Sequence, residues 1–177
     1  MTPIDHRDVW VHMLAGKWEP DEHHVATVTN KVRAAYERLK AGGDDDDFDE
    51  VAGALNVAVV RAEMIGAGPL TSAILAKKTI RTMPLAAQLQ LAAELRESLA
   101  MSQVWIDAIK KAMEALVACD QRMQRTGRSG FDGMGILAMN DALDKYQEIL
   151  RASSGEQMEQ AVAQTLLRSK AQQRHNA

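Results

Sequence analysis

The chain has 177 residues, 46% of them apolar, and a formal net charge of −3. Its 28 alanines and 10 methionines against 7 aromatics make a helix former's composition, which argues against sandwiches, barrels and doubly wound sheets. The length fits one globular domain over 1–177, able to bury a core without disulfide or metal.

No run of about 18 uncharged apolar residues occurs, so no membrane span is expected. The start, MTPIDHRDVW, is acidic and polar, unlike a signal peptide. The single cysteine, Cys119, makes neither an internal disulfide nor a zinc cluster. A cytoplasmic location is the expectation.

The elements follow in chain order. Thr2 and Pro3 open a first helix whose apolar face carries Val9, Trp10, Met13 and Leu14, ending at Gly16. Pro20 opens a second, with Val25, Val28, Val32, Tyr36 and Leu39 at spacings of three and four. Gly42 and Gly43 stop it. One aspartate of the run Asp44 to Asp49 caps a third helix with the stripe Phe48, Val51, Leu55, Val59 and Ala62. Gly66 and Gly68 break it, and Pro69 starts a short helix through Ile74 and Ile80.

Pro84 marks the next start, with Thr82 or Met83 in the capping position. No glycine or proline interrupts Leu85 to Thr126, and a seam of seven-residue type runs from Leu85 through Leu95, Leu99, Ile106, Ile109 and Leu116 to Met123. One long helix over 84–126 is expected, with Ser98 to Ser102 as the place for a break. Gly127 ends it, and the glycines 127, 130, 133 and 135 read as a turn needing positive φ. A further helix carries Leu143, Tyr146 and Ile149. Ser153 and Ser154 offer two capping boxes for a last helix with Met158, Val162 and Leu166. Residues 169–177 read as a frayed polar tail. The fold class is therefore all-α, a bundle of six to eight helices.

The segments Asn56-Val-Ala-Val-Val-Arg-Ala-Glu-Met-Ile-Gly66 and Arg125-Thr-Gly-Arg-Ser-Gly-Phe-Asp-Gly133 together resemble a group of small, uncharacterised helical proteins of proteobacterial genomes, many from phage-like or mobile regions. In that group an aromatic residue often follows the second arginine, where Ser129 stands here. The stretch from about Leu70 to Leu99 is additional. The resemblance implies a mobile-element or bacterial accessory origin and brings no catalytic residue with it.

Chemistry-bearing patterns are few. His23 and His24 point about 100° apart on a helix start. Asp21 and His24 only echo the Glu-x-x-His pair of di-iron bundles, for which a second such pair is missing. A metal-dependent bundle enzyme would need His12, His23 or His24 facing two carboxylates. Asp44 to Glu50 lacks the ligand alternation of a calcium loop. Phosphate-loop, Gly-x-Ser-x-Gly, His-Glu-x-x-His and Cys-x-x-Cys patterns do not occur. No catalytic, cofactor or metal residue is assigned, and no cofactor is expected.

Surfaces carry more. Residues 1–50 have net charge −6 and residues 51–177 net +3. Two basic clusters, Lys77, Lys78 and Arg81, and Arg122, Arg125 and Arg128, suit phosphate or nucleic acid if they converge. The methionines either fill the core or line an adaptable groove. Trp105 beside Met101 is a candidate hot spot if exposed, and Arg125, Arg128, Phe131 and Asp132 form a candidate partner site. The leading expectation is a non-enzymatic module binding a protein partner, or itself as a homodimer, through an apolar helix face. The acidic run at 44–50 could steer the encounter. Nucleic-acid binding ranks second.

Overall fold

The computed structural model describes residues 22–76 and 80–175. Six α-helices cover most of them: α1 (Glu22–Lys40), α2 (Asp45–Gly66), α3 (Gly68–Leu75), α4 (Leu85–Thr126), α5 (Gly133–Arg151) and α6 (Gly155–His175). A 3₁₀ turn at Ile80–Thr82 precedes α4, and no strand occurs among the described residues. The chain is an all-α bundle. The first helix expected from the sequence, with Trp10, Met13 and His12, lies outside the described residues, as do Lys77 and Lys78.

Helix α2 is the centre. It packs against all five other helices, and Val51, Ala54, Leu55, Val57, Ala58, Val60 and Ala62 are buried. Apolar residues all round a helix mark one that is enclosed rather than one resting on a surface. Its start is set by Asp44, whose carboxylate accepts the Asp47 N–H at 3.1 Å. Its approach to α4 is close at the far end, because Gly66 is buried and a Cβ there would collide with the Ser102 hydroxyl. The two serines expected to mark a break in α4 belong to this crossing instead. Ser98 Oγ donates to the Ile65 carbonyl at 2.9 Å, and Ser102 Oγ donates to the Leu99 carbonyl. The former satisfies one of the carbonyls that the end of α2 leaves open.

Helix α4 is continuous over 42 residues, about 63 Å at 1.5 Å per residue. Its N-cap is Pro84 rather than Thr82 or Met83, and the Gln88 side-chain amide donates to the Met83 carbonyl at 2.8 Å. Its C-cap is Gly127 at φ 71°, in the left-handed region where glycine carries no Cβ penalty. Every buried residue of α4 lies from Ser102 onward. The residues before the α2 crossing at Ser98, 85–97, extend about 20 Å along the helix axis. Among the described residues they are accompanied by α3, of which just Ala73 is buried, and at Ser98 and Leu99 the end of α2 joins. The described residues thus form a five-helix body (α1, α2, α5, α6 and the second half of α4) with a two-helix arm.

The seven-residue seam is only partly buried. Ser102, Ile106, Ile109 and Leu116 are buried, whereas Leu85 and Leu99 are exposed. A strict heptad stripe drifts by about 20° per repeat on a straight helix, so Leu85 and Ile106 differ by about 60°.

The last elements differ from expectation in two places. Gly133 and Gly135 lie inside α5, not in a turn, because Asp132 caps it: its carboxylate accepts the Gly135 N–H at 2.7 Å. Helix α6 continues to His175, through most of the segment expected to fray. Of its two capping boxes only Ser154–Gln157 forms, with Ser154 N–H to Gln157 Oε1 at 2.9 Å and Gln157 N–H to Ser154 Oγ at 3.3 Å.

Candidate interaction site

The two segments carrying the family resemblance have structural work in this fold. Arg61 is buried on α2, and its Nε donates to Ser153 Oγ at 2.8 Å. Burial lowers its pKa. Glu63 pairs with Arg168 at 2.7 Å, joining α2 to α6. In the α4–α5 turn, Ser129 Oγ donates to the Leu39 carbonyl at 2.9 Å and so closes the end of α1. Phe131 meets the buried Tyr36 edge to face, with centroids 5.4 Å apart.

The candidate partner residues do not form one site. Trp105 is buried, not exposed, and this corrects its reading as a hot spot. Its Nε1–H donates to Glu148 Oε2 at 2.8 Å, tying α4 to α5. That bond holds the Glu148 carboxyl below its ordinary pKa of 4.5 against the opposing effect of burial, with Lys145 adding to it. Met101 is half exposed on the arm side of α4. Phe131 and Asp132 sit some 30 residues further along the chain, at the other end of α4, in structural roles.

Beside them lies a groove of ≈ 270 Å³ between α4 and α5, lined by Lys111, Glu114, Cys119, Arg122, Phe131 and Met134 among others. Arg122 Nη1 donates to the Gly130 carbonyl at 2.8 Å, so this guanidinium braces the turn. Arg125 and Arg128 are exposed.

Of the first basic cluster only Arg81 is described, and it does not meet the second. Arg81 precedes the start of α4 and Arg122 is near its end, so the helix length separates them. The acidic run is partly neutralised: Arg38 donates to Asp47 at 2.7 Å and lies 3.9 Å from Glu50. His23 and His24 stack edge to face on the first turn of α1. Among the described residues no three His, Cys, Asp or Glu side chains are grouped to hold a metal ion.

Nor do the methionines among the described residues line a common groove. Met139 and Met158 are core residues, Met101 and Met134 are exposed on different helices, and Met64 and Met113 are half-buried against the core.

The feature that sequence reasoning missed is the arm. Seven of the eleven large apolar side chains exposed among the described residues fall between Ile74 and Val104. Leu75 is 77% exposed, Leu85 71% and Leu89 63%. Scattered apolar side chains are normal on a surface, but a concentration on one projecting element marks an interaction site. No single helix among the described residues is long and apolar enough to cross a membrane; α2 and α3 reach the length together but bend by 60° between them. Compared with protein-family models, curated proteins and solved structures, the chain finds no match.

Proposed function

We propose that this chain is a non-enzymatic interaction module, an accessory or regulatory protein of phage or mobile-element origin. It acts in the bacterial cytoplasm and binds a protein, either a partner or a second copy of itself, through the apolar face of its arm. The concentration of exposed Leu and Val side chains on α3 and the first half of α4 carries this reading. The origin rests on the resemblance alone, and the arm coincides with the stretch, about Leu70 to Leu99, that is additional in it. A helix face of this kind is read by a partner at i, i+3, i+4 and i+7.

The test is site-specific photo-cross-linking of the full chain in the cells that naturally encode it. A photo-reactive side chain replacing Leu85 should give an interchain adduct. The same group replacing Met134, equally exposed at the other end of the molecule, should not. Adducts from Met134 alone, or from neither position, overturn the reading.

Phosphate or nucleic-acid binding keeps only Arg125 and Arg128 as exposed described cations of the second cluster. It predicts an affinity for DNA or RNA that falls steeply with salt and is lost on replacing both.

A further inference from the structure

Helices α4 and α6 both pack on α2 but hardly touch each other. Between them lies a groove of ≈ 290 Å³, floored by Val59 and Val60 of α2 and flanked by Met113 of α4. Its polar lining comes from all three helices: Asn56 from α2, Lys110 from α4, and Arg168, Ser169 and Gln172 among those from α6. No Asp or Glu lines it. The groove between α4 and α5, by contrast, sets Glu114 and Asp132 beside Lys111 and Arg122.

Of the residues from Val51 to Ala62 on α2, all of them described, only Asn56 is exposed. The enclosed central helix thus meets solvent at an asparagine, a poor residue for a helix interior, and does so in this groove. Among the described residues no hydrogen bond or ion pair engages the side chains of Asn56, Lys110, Ser169 or Gln172. Each alone is an ordinary solvated side chain. Their convergence from three helices around an apolar floor is the arrangement of a small-molecule site.

Charge selects the class of ligand. Glu63 engages Arg168 Nη2 at 2.7 Å, which leaves Lys110 as the uncompensated charge of the groove. An ammonium, two side-chain amides and a hydroxyl supply the donors that an oxyanion accepts, and hydrogen bonds to a charged acceptor are the strong ones. A cation would meet Lys110 and no carboxylate in the lining. The volume lies just under the usual span of ligand sites, about 300–1,000 Å³, and so suits a small molecule.

We infer that this groove binds a small organic anion, its oxyanion head held by Lys110, Asn56 and Gln172 and its apolar part set against Val59, Val60 and Met113. The site is separate from the arm and does not depend on the arm being an interaction surface.

The test uses the purified full chain, isotope-labelled for NMR. Phenyl phosphate or benzoate should shift the side-chain amide signals of Asn56 and Gln172 saturably, and the tighter of the two names the head group. Inorganic phosphate, which has no apolar part, should bind more weakly than phenyl phosphate by about tenfold or more. Lys110→Gln should weaken binding by about tenfold or more. Lys111→Gln, at the next position but in the lining of the other groove, should leave it unchanged. Both lysines are exposed, so neither change threatens the fold. Absence of a saturable shift with either organic anion overturns the inference. So do equal affinities for inorganic phosphate and phenyl phosphate, or equal losses from the two lysine variants, either of which means a diffuse cationic surface. So does a photo-cross-link from position 172 to residues 1–21, which means that the chain fills the groove itself.

Discussion

The Trp105 indole is held in place by a carboxylate that water also reaches. Because the folded state lowers the Glu148 pKa, the stability this contact gives is complete above pH 4.5. It is lost as the pH falls through the depressed value, since the unfolded chain binds the proton more readily. A chain with Trp105 as sole indole (Trp10→Phe, Trp18→Phe) should therefore hold its emission maximum down to pH 4.5 and shift only below it. A shift completed above that pH contradicts the assignment. Tyr36 makes the opposite case. Its hydroxyl is buried without a hydrogen-bond partner, and burial first, then Glu37, pushes its pKa up to about 12. Tyr36→Phe removes an unsatisfied group while keeping the ring against Phe131, and should stabilise the fold by up to about 1–2 kcal/mol in urea unfolding. The periodicity of α1 showed that Tyr36 faces inward. It could not show that Trp105 does, because Glu148 lies 43 residues further on and only packing brings the two together.

At the scale of the element, helix ends carry contacts whose cost can be measured one at a time. Gly66→Ala forces a Cβ into the Ser102 side chain, and should destabilise by about 1–3 kcal/mol, the usual cost of overpacking. Ser102→Ala should cost less than about 1 kcal/mol, because its hydrogen bond stays within its own helix. Equal losses from the two variants would remove the close crossing as the explanation. Asp44→Ala and Asp132→Ala each delete an N-cap and should cost about 0.5–2 kcal/mol. The cap at Asp44 is legible as an acidic residue just ahead of an apolar stripe. The cap at Asp132 is obscured by the glycines after it. Their composition signals a turn, whereas a Cβ at Gly135 would crowd the capping carboxylate of Asp132 at 3.2 Å and touch the Ala115 side chain at 3.4 Å, a contact that local sequence does not encode.

For the whole molecule, the division into body and arm governs stability. The arm has few buried side chains, and regions of that kind open without global unfolding. Amides of residues 86–100 should exchange with deuterium well before those of 105–119. Their protection, and not that of the body, should rise when the arm binds its partner. Uniform protection along α4 would mean that the arm does not open independently. The all-α class and the length of α4 follow from a period that never changes and a 42-residue stretch without glycine or proline. The exposed apolar face of the arm does not, because the heptad seam and that face share the same apolar residue types. Only the placement of α2 and α3 tells which side of α4 is covered.

An unbroken α4 also works as a ruler with a phase. The tip of the arm and the Arg125–Arg128 turn are fixed to one rod, so their separation and their relative bearing are set by residue count alone. Excising seven residues between Leu85 and Ser98 would draw the tip of the arm in by about 10 Å yet turn it by only about 20°. Excising five would shorten it less and swing it by about 140°. The spacing of this helix is thus tolerant of length and intolerant of rotation, and natural length variants of the arm should come in steps of whole turns.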